Sequence, residues 1–480
     1  MKSSIMKTLR KRWSIIFFSI LVFESTQQLS AQNVHQTRKP NIIFILADDL
    51  GYGNVKSFNP KSLIPTPHID ELARQGTSFT RFYAGNTVCA PSRCALMTGK
   101  DMGRAYMRGN TRIPLRPQDS TMAQLLQQNG YATGMFGKWG LGEMGTTGSP
   151  EVKGFDTFYG YLNQQKAHHY YVKELFEVEK GVIKPMPVGS TQYSHDLIVQ
   201  HAIRFIEENK DKPFFLYLPV TIPHAELAVP LEDMKVFQNA DGSSKFPPET
   251  PYEQGGSTYA SQKQPHAAFA AMITKLDSDV GRIVAMVKQL GLDDNTYIFF
   301  TSDNGPHEEG GADPVYFNSA GPLRGVKRDL YEGGIRVPLI AWSPKNIPAG
   351  KVNDTPWAFW DVLPTFSELT QSKSLPDING LSYVASLEGK KQVNQHDHFY
   401  WQFNEKYLQE ALIKGDWKLL RFKRKSQPEV YELYNLKNDI GEKKNLISFH
   451  SKIADQLKVI MKQSKTLPEH KEFDWSDIEK

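Results

Sequence analysis

Two acidic pairs define the chemistry open to this chain. Asp48-Asp49 follows the apolar run Asn41 to Leu46, and Asp303-Asn304 follows Thr296 to Thr301. Three carboxylates and a carboxamide, with no paired thiolates, are hard oxygen donors that suit Ca²⁺, and Mg²⁺ less well. A lone Asp-Asp is usually a solvated turn, but two pairs that each end a buried run point to one shared ion. The only two cysteines fall together in Cys89-Ala-Pro-Ser-Arg93-Cys94-Ala-Leu-Met-Thr-Gly99. No second Cys pair exists to complete a zinc cage. A bridge across the expected loop-to-helix junction would need unusual geometry. Cys94 reads as a buried helix residue.

The elements that must position these groups are four apolar runs leading into polar loops. Asn41–Leu46 leads to Asp48-Asp49, Tyr131–Phe136 to Gly137-Lys138-Trp139, Pro213–Leu218 to Thr221-Ile-Pro-His224, and Thr296–Thr301 to Ser302-Asp303-Asn304. Continuous apolar runs predict parallel strands covered on both faces. Helical spacing lies between them: Ile273, Leu276, Val280, Ile283, Val284, Val287 and Leu290 recur every three or four residues until Gly291, and Ser120–Asn129 behaves similarly. Strand–helix alternation predicts an open α/β sheet, whose ligands bind beyond the strand C-termini. The four polar clusters should therefore converge. Residues 225–266, rich in Pro, Gly, Ser and Gln, predict a lid or substrate wall. Beyond about residue 385 the segments His398–Gln402, Leu408–Ile413, Trp417–Phe422 and Val430–Tyr434 predict a small antiparallel sheet. A helix from about Ser451 to Ser464 should pack on it.

Composition bounds the function. With 480 residues, 40% hydrophobic and 23% charged, the chain has room for one large globular domain and a smaller one. Lys2, Lys7, Arg10, Lys11 and Arg12 against Glu24 put +4 of the net +5 within residues 1–31. The remainder is nearly neutral, which argues against a nucleic-acid partner. Those charges precede the apolar run Trp13–Phe23 and then Leu29-Ser30-Ala31, so residues 1–31 read as a signal peptide cut after Ala31. The run falls short of the ~20 apolar residues that span a bilayer. The expectation is a periplasmic or secreted protein without stable membrane insertion. Exported proteins use disulfides freely, yet this one keeps both Cys inside one motif.

Residues Cys89 to Gly99 resemble the signature of the type I sulfatases, Cys-x-Pro-Ser-Arg-x-x-Leu-x-Thr-Gly. Gly130-Tyr-Ala-Thr133 with Gly137-Lys138-Trp139 resembles the second signature of that family, and the likeness extends over residues 38–480. The resemblance implies an alkaline-phosphatase-like α/β fold: a mixed, mostly parallel sheet between helices over residues 38–385, and a small C-terminal α+β subdomain over 386–480. It implies that a formylglycine-generating maturase oxidises Cys89 to formylglycine (3-oxoalanine), whose hydrate attacks the sulfur of a sulfated carbohydrate. It implies a Ca²⁺ held by Asp48, Asp49, Asp303, Asn304 and the derivative of Cys89. Arg93 would stabilise the hydrate, Asp303 would help deprotonate it, and Lys138 and Lys327 would grip sulfate. His224 would be the general acid toward the leaving alcohol. Such covalent catalysis divides one difficult hydrolysis into two easier steps.

One position departs from the pattern. Family members commonly read Gly-Lys-Trp-His, where the His helps expel sulfate, whereas this chain has Gly140. His168, His169 and His307 are candidates to fill the space or to bind substrate, and for each a packing or surface role is an equal reading. Two rivals follow. A phosphodiesterase or phosphonate hydrolase shares the scaffold and a similar transition state, and Gly140 motivates a non-catalytic binder of sulfated glycan.

Overall fold

Side-chain alternation along the strands decides the layering. In β1 (Asn41–Ala47), Ile42, Phe44 and Leu46 enter one core, while Ile43, Ile45 and Ala47 enter another on the opposite face. A strand with both faces covered has no polar alternation to show, hence its continuous apolar sequence. The structure, a computed structural model, describes residues 39–255 and 258–479. The signal segment expected over 1–31 lies outside the described residues.

Among the described residues, the large sheet has eleven strands. They are β1, β2 (Thr77–Tyr83), β3 (Ala132–Lys138), β4 (Thr157–Tyr161), β5 (Glu174–Glu179), β6 (Val182–Pro187), β7 (Phe214–Pro219), β8 (Thr296–Ser302), β9 (Arg336–Trp342), β10 (Lys351–Asn353) and β11 (Trp357–Ala358). Their order is β10-β2-β9-β8-β1-β7-β3-β4-β5-β6, with β11 beside β2. The centre, β8-β1-β7-β3-β4, is parallel throughout. β9 runs antiparallel to both β2 and β8, and β5-β6 is an antiparallel hairpin at the edge. The helix Pro265–Gln289 lies over one face with Ser194–Glu208 and Pro67–Gln75. Cys89–Thr98, Met122–Gln128 and Val362–Leu369 cover the other. The four strands expected from sequence all form, displaced by no more than two residues.

The remaining strands, β12 (Phe399–Asn404), β13 (Leu408–Lys414), β14 (Trp417–Lys423) and β15 (Val430–Asn435), make a separate antiparallel sheet in sequence order. Phe399, Trp401, Ala411, Ile413 and Leu420 join the core of the large sheet. Tyr400, Leu412, Leu419 and Leu433 face Ala454, Leu457 and Met461 of the helix Ser451–Gln463. A buried ion cluster reinforces the junction. Lys418 Nζ lies 3.0 Å from Glu332 Oε1 and 2.9 Å from Glu442 Oε1, with all three side chains fully buried. The segment 225–266 carries a short helix, Leu231–Lys235, and isolated bridges at Gln238–Ser244 and Tyr252–Gln262. No helix among the described residues is long and apolar enough to cross a membrane.

Candidate active site

Because β1, β3, β7 and β8 are parallel neighbours, their C-terminal ends share one edge, and the loops beyond them meet there. β1 delivers Asp48 and Asp49, β8 delivers Asp303 and Asn304, β3 ends in Lys138, and β7 leads to His224. Asp49 sits at φ 64°, a left-handed conformation that Asp tolerates better than most residues. All of these side chains are at most 2% exposed.

The helix Cys89–Thr98 places its first residue in the middle of this cluster. Pro91 lies in its first turn, where a missing N–H costs nothing, and Gly99 closes it at φ 68° in the left-handed conformation usual for a helix C-terminus. Every residue of the helix is buried. Ser92 Oγ donates to the Asp303 carbonyl at 2.6 Å and accepts from Gly85 N at 3.0 Å, so it ties the helix to β8. Arg93 donates to Asp303 Oδ2 from Nε (3.1 Å) and Nη2 (2.8 Å), to Asp48 Oδ2 from Nη2 (3.2 Å), and to the Lys138 carbonyl from Nη1 (2.6 Å). One guanidinium thus joins three strand ends. Its planar fork suits this work, which the point charge of a lysine could not do.

Cys89 Sγ lies 3.3 Å from Asp48 Oδ1. Burial and the Asp303 and Asp48 carboxylates push its thiol well above the ordinary range, so as a thiol it is a poor nucleophile. Lys138 Nζ donates to Asp48 Oδ2 at 2.7 Å, and Lys327 Nζ to Asp49 Oδ2 at 2.8 Å. Burial alone would raise the Asp48 carboxyl, but Lys138, with help from His224, Arg93 and Lys327, holds it below the usual carboxylate range. Asp303 goes the other way: burial and the neighbouring Asp48 carboxylate raise it, against Arg93. Two adjacent carboxyls are thereby driven apart in proton affinity.

The donor set fits an oxygen-loving dication. Asn304 Nδ2 donates to Asp49 Oδ1 at 2.6 Å, while Asn304 Oδ1 is buried without a hydrogen-bond partner. A buried acceptor that no protein donor meets can be satisfied by a cation. Asp48, Asp49, Cys89 and His224 also bring one ligand atom each within 4.8 Å of one another, as do Asp49, His307 and Glu309.

Burial, Lys327 and Lys138 hold the His224 imidazole well below its ordinary value against Asp48. His168 stacks on His224 at 4.5 Å between ring centroids and 15° between planes. Burial, Lys138 and Lys327 lower its imidazole to about 3. His307 stacks on His224 at 5.6 Å, but both its nitrogens are committed: Nε2 donates to the Pro223 carbonyl at 3.0 Å and Nδ1 accepts from Glu309 N at 3.1 Å. His169 pairs with Glu226 at 3.0 Å. The structure thus brings His168 to the cleft and places His307 behind His224.

A cleft of about 230 Å³ opens onto Cys89 and is walled by Gly140, Gln164, His168, His224, Tyr259 and Lys327. Tyr259 comes from the long insertion 225–266, which therefore forms part of the wall. Glu309 and Arg328 also face it, and sequence reasoning missed both. Glu309 Oε2 lies 3.3 Å from Lys327 Nζ, and Arg328 Nη2 lies 2.7 Å from Glu309 Oε1. Burial would raise the Glu309 carboxyl, but Lys327 dominates and holds it at about 2. The available signals were proximity to Asp303 and to Lys327 in sequence.

This fold and edge define the alkaline-phosphatase-like α/β class, with two buried lysines, Lys138 and Lys327, beside a buried helix N-terminus. Comparison with known proteins narrows the class. The sulfatase family model matches residues 40–372, and the model of the N-sulphoglucosamine sulphohydrolase C-terminal region matches 326–467. The chain belongs to the sulfatase family and is a sulfuric ester hydrolase. It is 29% identical to an N-acetylgalactosamine-6-sulfatase of Sus scrofa over 393 residues, covering 76% of this chain and 69% of the relative. It is 26% identical to an N-acetylgalactosamine-6-O-sulfatase of Bacteroides thetaiotaomicron over 527 residues, covering 92% and 96%. The crystal structure of Ps i-CgsB superimposes with a TM-score of 0.73 at 31% identity, covering 89% of this chain and 93% of that one. The same protein has been solved in complex with k-i-k-neocarrahexaose.

Proposed function

We propose that this sulfatase is exported and hydrolyses sulfate esters of carbohydrate, using formylglycine made from Cys89 by a maturase and a bound Ca²⁺. The observation that carries the reading is the setting of Cys89. It is a buried, electrostatically disfavoured thiol at the first position of a helix, ringed by Asp48, Arg93, Lys138 and Lys327, with no thiol partner. Such a thiol is useless as it stands and well placed once oxidised. Formylglycine at position 89 would supply a hydrate hydroxyl as nucleophile toward sulfur. Ca²⁺, held by Asp48, Asp49, Asp303 and Asn304, would supply positive charge beside that hydroxyl and a sulfate oxygen.

The chain's own residues do the rest. Arg93 holds the Asp48 and Asp303 carboxylates together beside position 89. Asp303, held by Arg93 next to the first residue of the helix, accepts the proton released by the nucleophile. Lys138 and Lys327 exchange their carboxylate partners for sulfate oxygens and so stabilise charge that grows in the transition state. His224, beside Lys327, delivers a proton to the departing alcohol oxygen. The ester S–O bond breaks and the alcohol leaves protonated; the oxygen that attacked sulfur would depart with the sulfate by C–O cleavage at position 89, regenerating the aldehyde, and water would restore the hydrate. The sugar-acting relatives and the neocarrahexaose complex of Ps i-CgsB support a carbohydrate leaving group. The basic, apolar and small-residue pattern of residues 1–31 supports export to the periplasm or beyond.

The test is release of inorganic sulfate by matured protein from a panel of defined monosulfated saccharides, beside matched phosphate esters. Sulfate release from at least one saccharide, faster than phosphate release from its analogue, is expected. Faster phosphate release would overturn the reading in favour of the phosphodiesterase alternative.

A further inference from the structure

Position 140 departs from the sulfatase signature, and a residue from elsewhere in the chain fills it. Gly140 sits at φ +76°, and a Cβ built on it would meet Gln164 Nε2 at 2.1 Å. The Gln164 carboxamide therefore stands where a side chain at 140 would begin. The two segments are locked together, because Gly140 N donates to the Leu162 carbonyl at 3.1 Å. Gln164 Nε2 is buried with no hydrogen-bond partner, and Oε1 makes no hydrogen bond among the described residues. A buried donor left unpaired is costly and calls for an explanation. The terminal torsion of Gln is soft, so a half-turn exchanges the two atoms and turns either one into the cleft that Gln164 shares with Cys89, His168 and Lys327.

We propose that Gln164 contacts the substrate and determines specificity, pairing with a saccharide hydroxyl beside the sulfated carbon. The inference rests on the carbohydrate reading above. A hydroxyl both donates and accepts, as a carboxamide does, whereas a sulfate only accepts. The sulfate's charge is already met by two buried ammoniums, Lys138 and Lys327. A neutral group with one donor and one acceptor uncommitted complements the uncharged part of the substrate. A site built to pair a hydroxyl rejects analogues that lack it, because its own polar atoms are then left unpaired.

The experiment compares wild type with Gln164→Met, which keeps the side chain's length against Gly140 but removes both polar atoms. The substrate is the monosulfated saccharide that wild type cleaves fastest, and inorganic sulfate serves as competitive inhibitor. We expect kcat/KM to fall about tenfold, the loss of one paired polar group. The inhibition constant for sulfate should stay within about twofold, and the melting temperature should not change. An inhibition constant that rises in step with the loss would place Gln164 on the sulfate and overturn the proposal, as would an unchanged kcat/KM. If Gln164→Met does not fold, Gln164→Asn is read in the same two assays. It keeps the carboxamide but withdraws it from the cleft, and the same losses are expected. Wild type releasing no sulfate from any saccharide would instead overturn the carbohydrate reading and this inference with it.

Discussion

Lys327 Nζ lies 3.0 Å from His224 Nε2 and 2.8 Å from Asp49 Oδ2, so one buried ammonium serves a base and a carboxylate together. His224 Nδ1 faces the Ala225 carbonyl, which only accepts, and Nε2 faces the Lys327 ammonium, which only donates, so the geometry suits a neutral ring with its proton on Nδ1 and a lone pair on Nε2. The expected general acid must therefore obtain its proton at Nε2, and Lys327 is the donor in contact with it. Lys327→Met and His224→Ala should each lower kcat/KM by about 10²–10⁴-fold, the usual contribution of a positioned proton donor or charge clamp. The double variant should lose little more than the worse single one, because contacting residues that act as a unit are not additive. Losses that multiply would mean the two act independently.

Cys89 should be found modified. In protein from a host with a matching maturase, the peptide carrying it should be lighter by roughly 18 Da, as expected for conversion of Cys to an aldehyde. Cys89→Ala should abolish turnover with little effect on folding, since the helix it begins keeps all its other contacts. Full activity with an unmodified thiol would sink the mechanism.

The ion can be tested without activity. Ca²⁺ at about 100 times its dissociation constant should stabilise the folded protein by about 2.7 kcal/mol in urea unfolding. The effect should shrink in Asn304→Ala, which removes the orphaned Oδ1, and in Asp49→Asn. Stabilisation by Zn²⁺ but not by Ca²⁺ or Mg²⁺ would contradict the oxygen-donor assignment.

What the sequence made legible was the buried centre. Strands β1, β3, β7 and β8 announced themselves because both faces are covered, and their loops carried Asp48, Lys138, His224 and Asp303 to one edge by topology alone. The hairpin β5-β6 did not. Glu174–Glu179 alternates charge with apolar residues and Val182–Pro187 carries two prolines, which is edge-strand chemistry that reads as loop. Glu309 and Gln164 were illegible for another reason: neither lies in a motif, and each gains meaning only from what it touches. For His307 the sequence left a site role and a packing role equally open, and its ring nitrogens are spent on Pro223 and Glu309.

His168 is the histidine available to replace the one missing at position 140. Its ring lies over His224, and with its imidazole lowered to about 3 by burial, Lys138 and Lys327 it is neutral near pH 7, a weak base that gains strength only when a bound sulfate offsets the two lysines. His168→Ala should lower kcat by about 10²–10⁴-fold if it serves as that base. A rise in KM alone would make it a sugar contact. Full retention of both constants would leave water to do the work.

The Lys418 cluster predicts a pH dependence of stability that is separate from the active site. Burial raises the Glu442 carboxyl from 4.5 to about 7, against Lys418, while Lys418 and Arg336 hold Glu332 down despite its burial. Below about pH 4.5 Glu442 is protonated whether the chain is folded or not and contributes nothing to the slope. Between 4.5 and about 7 the folded protein keeps a proton that the unfolded chain has lost, so stability falls with rising pH over that window and levels off above it. Glu442→Gln mimics the protonated form, and its Oε1 can still accept from Glu332 N, now 2.7 Å from Glu442 Oε2. Measured by urea unfolding, this variant should gain on wild type by on the order of 1–3 kcal/mol as pH rises through the window. Lys418→Met should do the reverse, costing about 3–5 kcal/mol near neutral pH, because it leaves buried carboxylates without their cation. A Glu442→Gln curve parallel to wild type at every pH would show that Lys418 keeps Glu442 ionised throughout.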